Sequence, residues 1–246
     1  MTLTLTQAHA LVMILAWMTF SSTGILVARY GRSFRVGTQR QILGKAFWFQ
    51  VHRLLLSLTP LLTFLGFYFI VVRSAGRWSN PEISLNGFIH SIFGIVTIFD
   101  SVIQIWLVLY RCNPHSRYRF MFDWIHRSFG FVAFISSIIS IFIMILQFRR
   151  NRIQLITIMS IWTGLTMIVF IACEQIQCQQ KQITNSTVND VQMTQQNTNN
   201  NRPDVEAGTN IQVGNQRYNQ MKFYLFLIHS ICSPILSILL IIFICI

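Results

Sequence analysis

The sequence predicts an all-α fold, a bundle of six membrane-spanning helices, and three observations lead there. The 246 residues are 53% hydrophobic and only 11% charged, where a soluble domain carries about 25% charged residues. Six apolar segments approach or exceed the roughly 20 residues that cross a hydrocarbon core as a helix. Their apolar runs are continuous rather than alternating, which excludes barrel strands. A formal net charge of +12 could suggest nucleic acid. The basic residues sit between apolar runs instead of forming one patch, so the expected partner is a lipid bilayer and no nucleic acid. Five Cys do not make a disulfide framework.

The six spans are read at 7–28, 47–72, 86–110, 121–148, 155–173 and 223–246. The first is too long, and lacks the basic start, to be a cleavable leader. The first connection carries Arg29, Arg32, Arg35, Arg40 and Lys45, and the third Arg111, Arg117 and Arg119. The second holds only Arg73 and Arg77, beside Glu82. The rule that basic loops stay inside places the first and third loops in the cytoplasm and the N-terminus outside or in a lumen. Arg149, Arg150 and Arg152 in the fourth connection pull mildly the other way. The fifth connection, 174–221, is rich in Asn, Gln and Thr with almost no aromatics. That composition predicts a disordered cytoplasmic loop. The expected division is therefore a core over 1–173, the polar loop over 174–221 and a sixth helix over 222–246.

Ionisable residues inside membrane helices are costly and usually functional. His9, His52, His90 and His126 fall near the starts of four consecutive spans. Because the spans alternate in direction, His9 and His90 share one membrane face, and His52 and His126 the other. In an up-down bundle, alternate helices face each other diagonally, which pairs His9 with His90 and His52 with His126. Two facing neutral imidazoles can ligate a metal. Without carboxylate or Cys at these depths zinc fits poorly, and haem iron fits a dry bundle core. His90-Ser-Ile-Phe-Gly94 and His126-Arg-Ser-Phe-Gly130 share the form H-x-x-F-G. Each Gly lies one turn from its His and leaves room for a flat ring. Met13, Trp17, Phe93 and Phe129 are candidate ring walls. The competing reading is that the histidines hydrogen-bond between helices and the glycines only ease helix packing. His115 reads as a solvated loop residue and His229 as a packing residue of the sixth span.

The segments His9-Ala-Leu-Val-Met13, Ala16-Trp17-Met18-Thr19, Trp48-Phe49-Gln50-Val51-His52-Arg53, Gly87-Phe88-Ile89-His90 and Trp124-Ile125-His126 together carry a resemblance. The chain resembles the cytochrome b561 superfamily, most of all the membrane half of ferric-chelate reductase 1-like proteins, in which an extracellular DOMON-type domain often precedes that half. Ala10 stands where members often have Gly. The resemblance implies a six-helix bundle with a four-helix haem-binding core. It also implies two b-type haems, each held by two His from alternate helices.

The implied activity is that of a transmembrane ascorbate-dependent oxidoreductase. Electrons would pass from cytoplasmic ascorbate to a ferric chelate or monodehydroascorbate on the other side. With each His pair a few residues below its surface, about 12–22 Å separates the two layers. Arg29, Arg32 and Lys45 are the candidate ascorbate-binding residues, by charge and position at the inner rim. Arg53 and Arg127, each beside an inner His, could pair with haem propionates. Two other readings stand beside this one. They are a non-redox receptor whose histidines only pack, and a transporter whose histidines relay protons. The sequence leaves a homodimer open.

Overall fold

The computed structural model describes residues 3–31, 41–42, 45–110, 116–197 and 204–246. Among the described residues six helices form the fold: α1 (Leu5–Tyr30), α2 (Phe47–Ser74), α3 (Leu85–Leu109), α4 (Arg119–Ile145), α5 (Arg152–Asn197) and α6 (Asp204–Cys245). A two-residue antiparallel pair, Gln41–Ile42 with Lys45–Ala46, precedes α2. All six helices are long and apolar enough to cross a membrane. The chain is an integral multi-pass membrane protein. Arg32, Arg35, Arg40, Arg111 and His115 lie outside the described residues.

Local chemistry sets the helix ends. Thr4 and Gln7 form a reciprocal capping box at the start of α1, which satisfies two backbone donors that would otherwise be orphaned. The Ser84 hydroxyl accepts from the Gly87 amide at 3.1 Å and starts α3. Ala75, with φ 51°, and Gly76, with φ +72°, end α2 in left-handed conformations. Pro60 and Pro234 lie inside α2 and α6, as membrane helices tolerate.

α1 is the centre of the bundle. Its most apolar window is 56% buried, against 17% for α2 and for α3. Ile14, Ala16, Trp17 and Met18 of α1 cluster with Ala133, Phe134 and Ile145 of α4, Leu155, Met159 and Trp162 of α5, and Leu240 of α6. The outer faces of α2 and α3 stay apolar and exposed, as with Leu61, Tyr68, Phe99 and Trp106. In a bilayer those faces meet lipid, which is as apolar as a protein core.

Leu15–Ser21 of α1 is wound as a π-helix. The wider turn loosens the local hydrogen-bond ladder, and α6 repairs it. Ser233 Oγ donates to the Met18 carbonyl at 2.5 Å, and Thr19 Oγ1 donates to Ser237 Oγ at 3.0 Å. Trp162 Nε1 on α5 donates to the same Ser233 hydroxyl at 2.9 Å. This polar seam fixes α5 and α6 against the helix that carries His9.

The expected loop over 174–221 is instead helical in its described part. α5 continues to Asn197, and α6 begins at Asp204. Gln, Glu and Lys are good helix formers, and neither Gly nor Pro occurs between Gly164 and Pro203. The helix thus runs on past its apolar window. Gln180 Nε2 donates to Asn215 Oδ1 at 3.1 Å, and Lys222 Nζ donates to Gln180 Oε1 at 2.9 Å. These bonds hold the extensions together. Composition overlooked this, because it weighs the lack of a core and not pairing between two extended helices.

Candidate functional site

The four span histidines come from α1, α2, α3 and α4, and backbone carbonyls of neighbouring helices orient three of them. His9 Nδ1 lies 2.8 Å from the Gly66 carbonyl on α2. His52 Nδ1 lies 3.1 Å from the Gly24 carbonyl on α1. His90 Nδ1 lies 3.0 Å from the Ser140 carbonyl on α4. A carbonyl can only accept, so Nδ1 carries the proton in each ring and donates. Nε2 is then the nitrogen with a lone pair, the arrangement that metal-ligating histidines use. On α4, the backbone carbonyl of His126 accepts from Gln104 Nε2 at 2.7 Å.

These contacts share one spacing. Gly24, Gly66, Gln104 and Ser140 each lie 14 or 15 positions after the histidine of their own helix. Each therefore reaches the level of the histidine on the antiparallel neighbour. The same spacing sets the two histidine levels about 21 Å apart at 1.5 Å per residue. The H-x-x-F-G match spans only one helical turn. The signal that finds the supporting residues is the one across four helical turns.

The two glycines let α1 and α2 approach. A Cβ on Gly24 would fall 2.7 Å from Leu56 Cδ2, and one on Gly66 would fall 2.9 Å from Val12 Cγ2. A Cβ at Gly94 would meet nothing within 4 Å, so space is open beside His90. Gly130 differs, because its Cβ would face the Gln104 amide at 3.4 Å. The room expected beside both histidines is thus open at Gly94, whereas at Gly130 a polar side chain stands against it.

His9 and His90 are brought together across α1 and α3, with ring centroids 6.1 Å apart and planes at 84°. Two imidazoles on one ion, at about 2.0–2.1 Å per metal–nitrogen bond, place their centroids about 6 Å apart. This pair therefore fits a bis-imidazole iron, and the other ring nitrogens are already fixed. His52 and His126 occupy α2 and α4 at the second level. Phe49 lies 6.3 Å from the His52 ring, and Phe122 stacks on the His126 ring at 6.1 Å. Neither aromatic was among the expected ring walls. Of those that were, Trp17 is buried in the core cluster, and Met13 packs against both that core and Gly66.

Among the expected ascorbate residues, Arg29 donates through Nε to Glu174 Oε1 at 2.6 Å, and Tyr30 donates to the same oxygen at 2.6 Å. Its guanidinium stays about half exposed. Arg32 lies outside the described residues, and only the backbone of Lys45 is described. Arg53 reaches Gln50 Oε1 at 3.4 Å, and Arg127 is exposed. His229, expected to pack, is fully buried with Nε2 3.1 Å from Ser22 Oγ. Asp100 and Lys222 are buried ionisable groups, 3% and 1% exposed, and the reading of the sequence passed over both. The signal for Asp100 was plain, as a carboxylate inside an apolar span.

The family profile of eukaryotic cytochrome b561 matches residues 8–149, which spans α1 to α4 and all four histidines. Among curated proteins, ferric-chelate reductase 1 of Mus musculus is 39% identical over 124 residues, 50% of this chain and 20% of its own length. Ferric-chelate reductase 1 of Homo sapiens is 36% identical over 124 residues, again 50% and 20%. A putative ferric-chelate reductase 1 homolog of Drosophila melanogaster is 35% identical over 123 residues, 50% and 17%. The chain thus covers about a fifth of the length of the curated relatives it matches. No solved structure matches. With the family profile covering more than half of its residues, the chain belongs to the eukaryotic cytochrome b561 family.

Proposed function

We propose that this protein carries electrons across a membrane through two b-type haems. One is held by His9 and His90, the other by His52 and His126. The observation that carries the reading is the His9–His90 pair, with centroids 6.1 Å apart and both Nδ1 atoms turned to backbone carbonyls. Haem b, when bound, supplies reversible one-electron chemistry. The chain supplies the rest. Neutral imidazoles offer Nε2 as axial ligands, the carbonyls of Gly66, Gly24 and Ser140 hold the rings, and the apolar span excludes water. Tunnelling falls exponentially with distance, so a second site about 21 Å along the bundle axis makes the crossing feasible.

The haem core is taken to be 1–173, with the N-terminus outside the cell or in a lumen. Ascorbate is the cytoplasmic donor in this reading. It loses one electron and a proton to become monodehydroascorbate. The acceptor opposite is a ferric chelate, which becomes ferrous, or monodehydroascorbate. The first acceptor is suggested by the names of the relatives. Arg29, Arg32 and Lys45 are proposed to attract the ascorbate anion. Arg29 donates through Nε to Glu174, and its side chain is about half exposed to an incoming anion.

Vesicles holding purified protein, with ascorbate sealed inside and a ferric chelate outside, test the proposal. Ferrous chelate should form outside only when protein and haem are both present. Protein that stays colourless when expressed with ample haem would refute it.

A further inference from the structure

We infer that Asp100 is a proton-loading site, which takes up a proton as an electron enters the α1–α4 core and releases it as the electron leaves. The inference rests on the haem reading above and adds a residue that the reading does not use. The buried residues of α3 are Thr97, Asp100 and Ser101, all polar, in a helix otherwise apolar over most of its length. The buried residues of α4 include Ser136, Ser137 and Ser140, which by the α3–α4 register lie one to three turns from the Asp100 level toward His90. Polar contacts join the two helices at the His90 and His126 levels, and Asp100 lies between them.

Ser140 Oγ lies 2.9 Å from His90 Nδ1, while Thr97, Ser101 and Ser137 are satisfied by their own helices. Thr97 donates to the Phe93 carbonyl at 2.8 Å, Ser101 to Thr97 at 2.8 Å and Ser137 to Phe134 at 2.7 Å. Asp100 is not satisfied. It is 3% exposed, and its Oδ2 is buried with no hydrogen-bond partner among the described residues. No ion pair to it occurs among them either. A carboxylate in hydrocarbon is tolerated only where another charge compensates it.

The register places that compensation. His90 meets Ser140, and Gln104 meets His126, so Asp100 lies opposite Gly130. It sits one turn from Gln104 on the same face of α3. The nearest charged or titratable groups on α4 are Arg127, which is exposed, and His126, each about one turn further on. His9 meets both Gly66 and His90, which levels α2 with α3, and the nearest titratable or charged groups there are His52 and Arg53. Asp100 therefore lies between the two histidine levels, nearer the second. Ferric iron in a porphyrin leaves one net positive charge in the core, and ferrous iron leaves none. The oxidised core therefore stabilises the Asp100 carboxylate, and the reduced core does not. One electron enters, one proton from solvent joins an Asp100 oxygen, and the total charge of the core is unchanged.

Redox titration of the purified holoprotein at a series of pH values tests this. In wild type the midpoint of the second-level haem should fall as pH rises, with up to one proton taken up per electron. In Asp100→Asn it should become independent of pH and lie higher at alkaline pH, because a neutral amide replaces the carboxylate. Asp100→Glu should keep the dependence. The infrared difference spectrum on reduction should gain a carboxylic C=O band in wild type that Asp100→Asn lacks. Identical pH profiles and infrared spectra in the two proteins would overturn the inference while leaving the haem reading intact. Should Asp100→Asn not accumulate, the wild-type band decides: present on reduction it supports the inference, and absent it removes it. Colourless protein would instead remove the haem reading itself.

Discussion

At the scale of single residues, the chemistry of each imidazole depends on its second nitrogen. Carbonyls of Gly66, Gly24 and Ser140 accept from Nδ1, and a carbonyl cannot be deleted by substitution. The ligands themselves can. His90→Ala should leave the haem of His52 and His126 in place, and His126→Ala should leave that of His9 and His90. Each variant should bind one haem per chain where the parent binds two, as read by haem-to-protein ratio and reduced-minus-oxidised spectra. Loss of both haems from either folded variant would argue against independent sites. Gln104→Ala removes the donor to the His126 carbonyl. That bond helps hold the His126 turn in place, so the second-level haem should be competed away more readily by apomyoglobin, with the first unaffected.

At the scale of elements, two close approaches decide whether the histidines sit correctly. Gly24 and Gly66 let α1 and α2 come together at opposite ends of one interface. Leu at either position would collide with Leu56 or Val12, and overpacking of this kind costs about 1–3 kcal/mol. Gly24→Leu should therefore weaken haem retention at the His52 level first, and Gly66→Leu at the His9 level first. Haem content after detergent dilution would show the order. Ser233 closes the π-helical stretch of α1 by bonding both Met18 and Trp162. Ser233→Ala leaves a buried donor and acceptor unsatisfied, at about 1–3 kcal/mol. It should lower the melting temperature without changing which haems are bound. Helix boundaries were close to legible from apolar runs alone: α2 was expected at 47–72 and is Phe47–Ser74, and α3 at 86–110 and is Leu85–Leu109. The extensions of α5 and α6 were not, because Gln180, Asn215 and Lys222 find their partners only across two chains of helix.

At the scale of the whole molecule, the asymmetry of basic loops predicts that the donor enters at the face opposite the N-terminus. If ascorbate is drawn there by charge, its initial rate of oxidation should fall as salt rises from low to physiological ionic strength, because the screening length shortens to about 8 Å. Rates from vesicles loaded with ascorbate at two salt concentrations would show it. A rate independent of salt would assign those basic residues to topology and lipid head groups alone. The central place of α1 was not legible either. Its span is no more apolar than the others, and only the packed bundle places Trp17 and Met18 among residues of α4, α5 and α6.

The linear chain by itself determined the six spans and the place of each histidine near the start of its helix, because hydrophobic run length and helical rise are local properties. It also held the 14-residue spacing that links each histidine level to the next, unnoticed because nothing local marks it. Only the tertiary structure decided that His9 and His90 approach to 6.1 Å, that Gly94 opens space and Gly130 does not, and that Asp100 faces inward. Each of those outcomes depends on helix rotation about its own axis. In a membrane, where lipid solvates one apolar face as well as another, interhelical packing and polar contacts set that rotation.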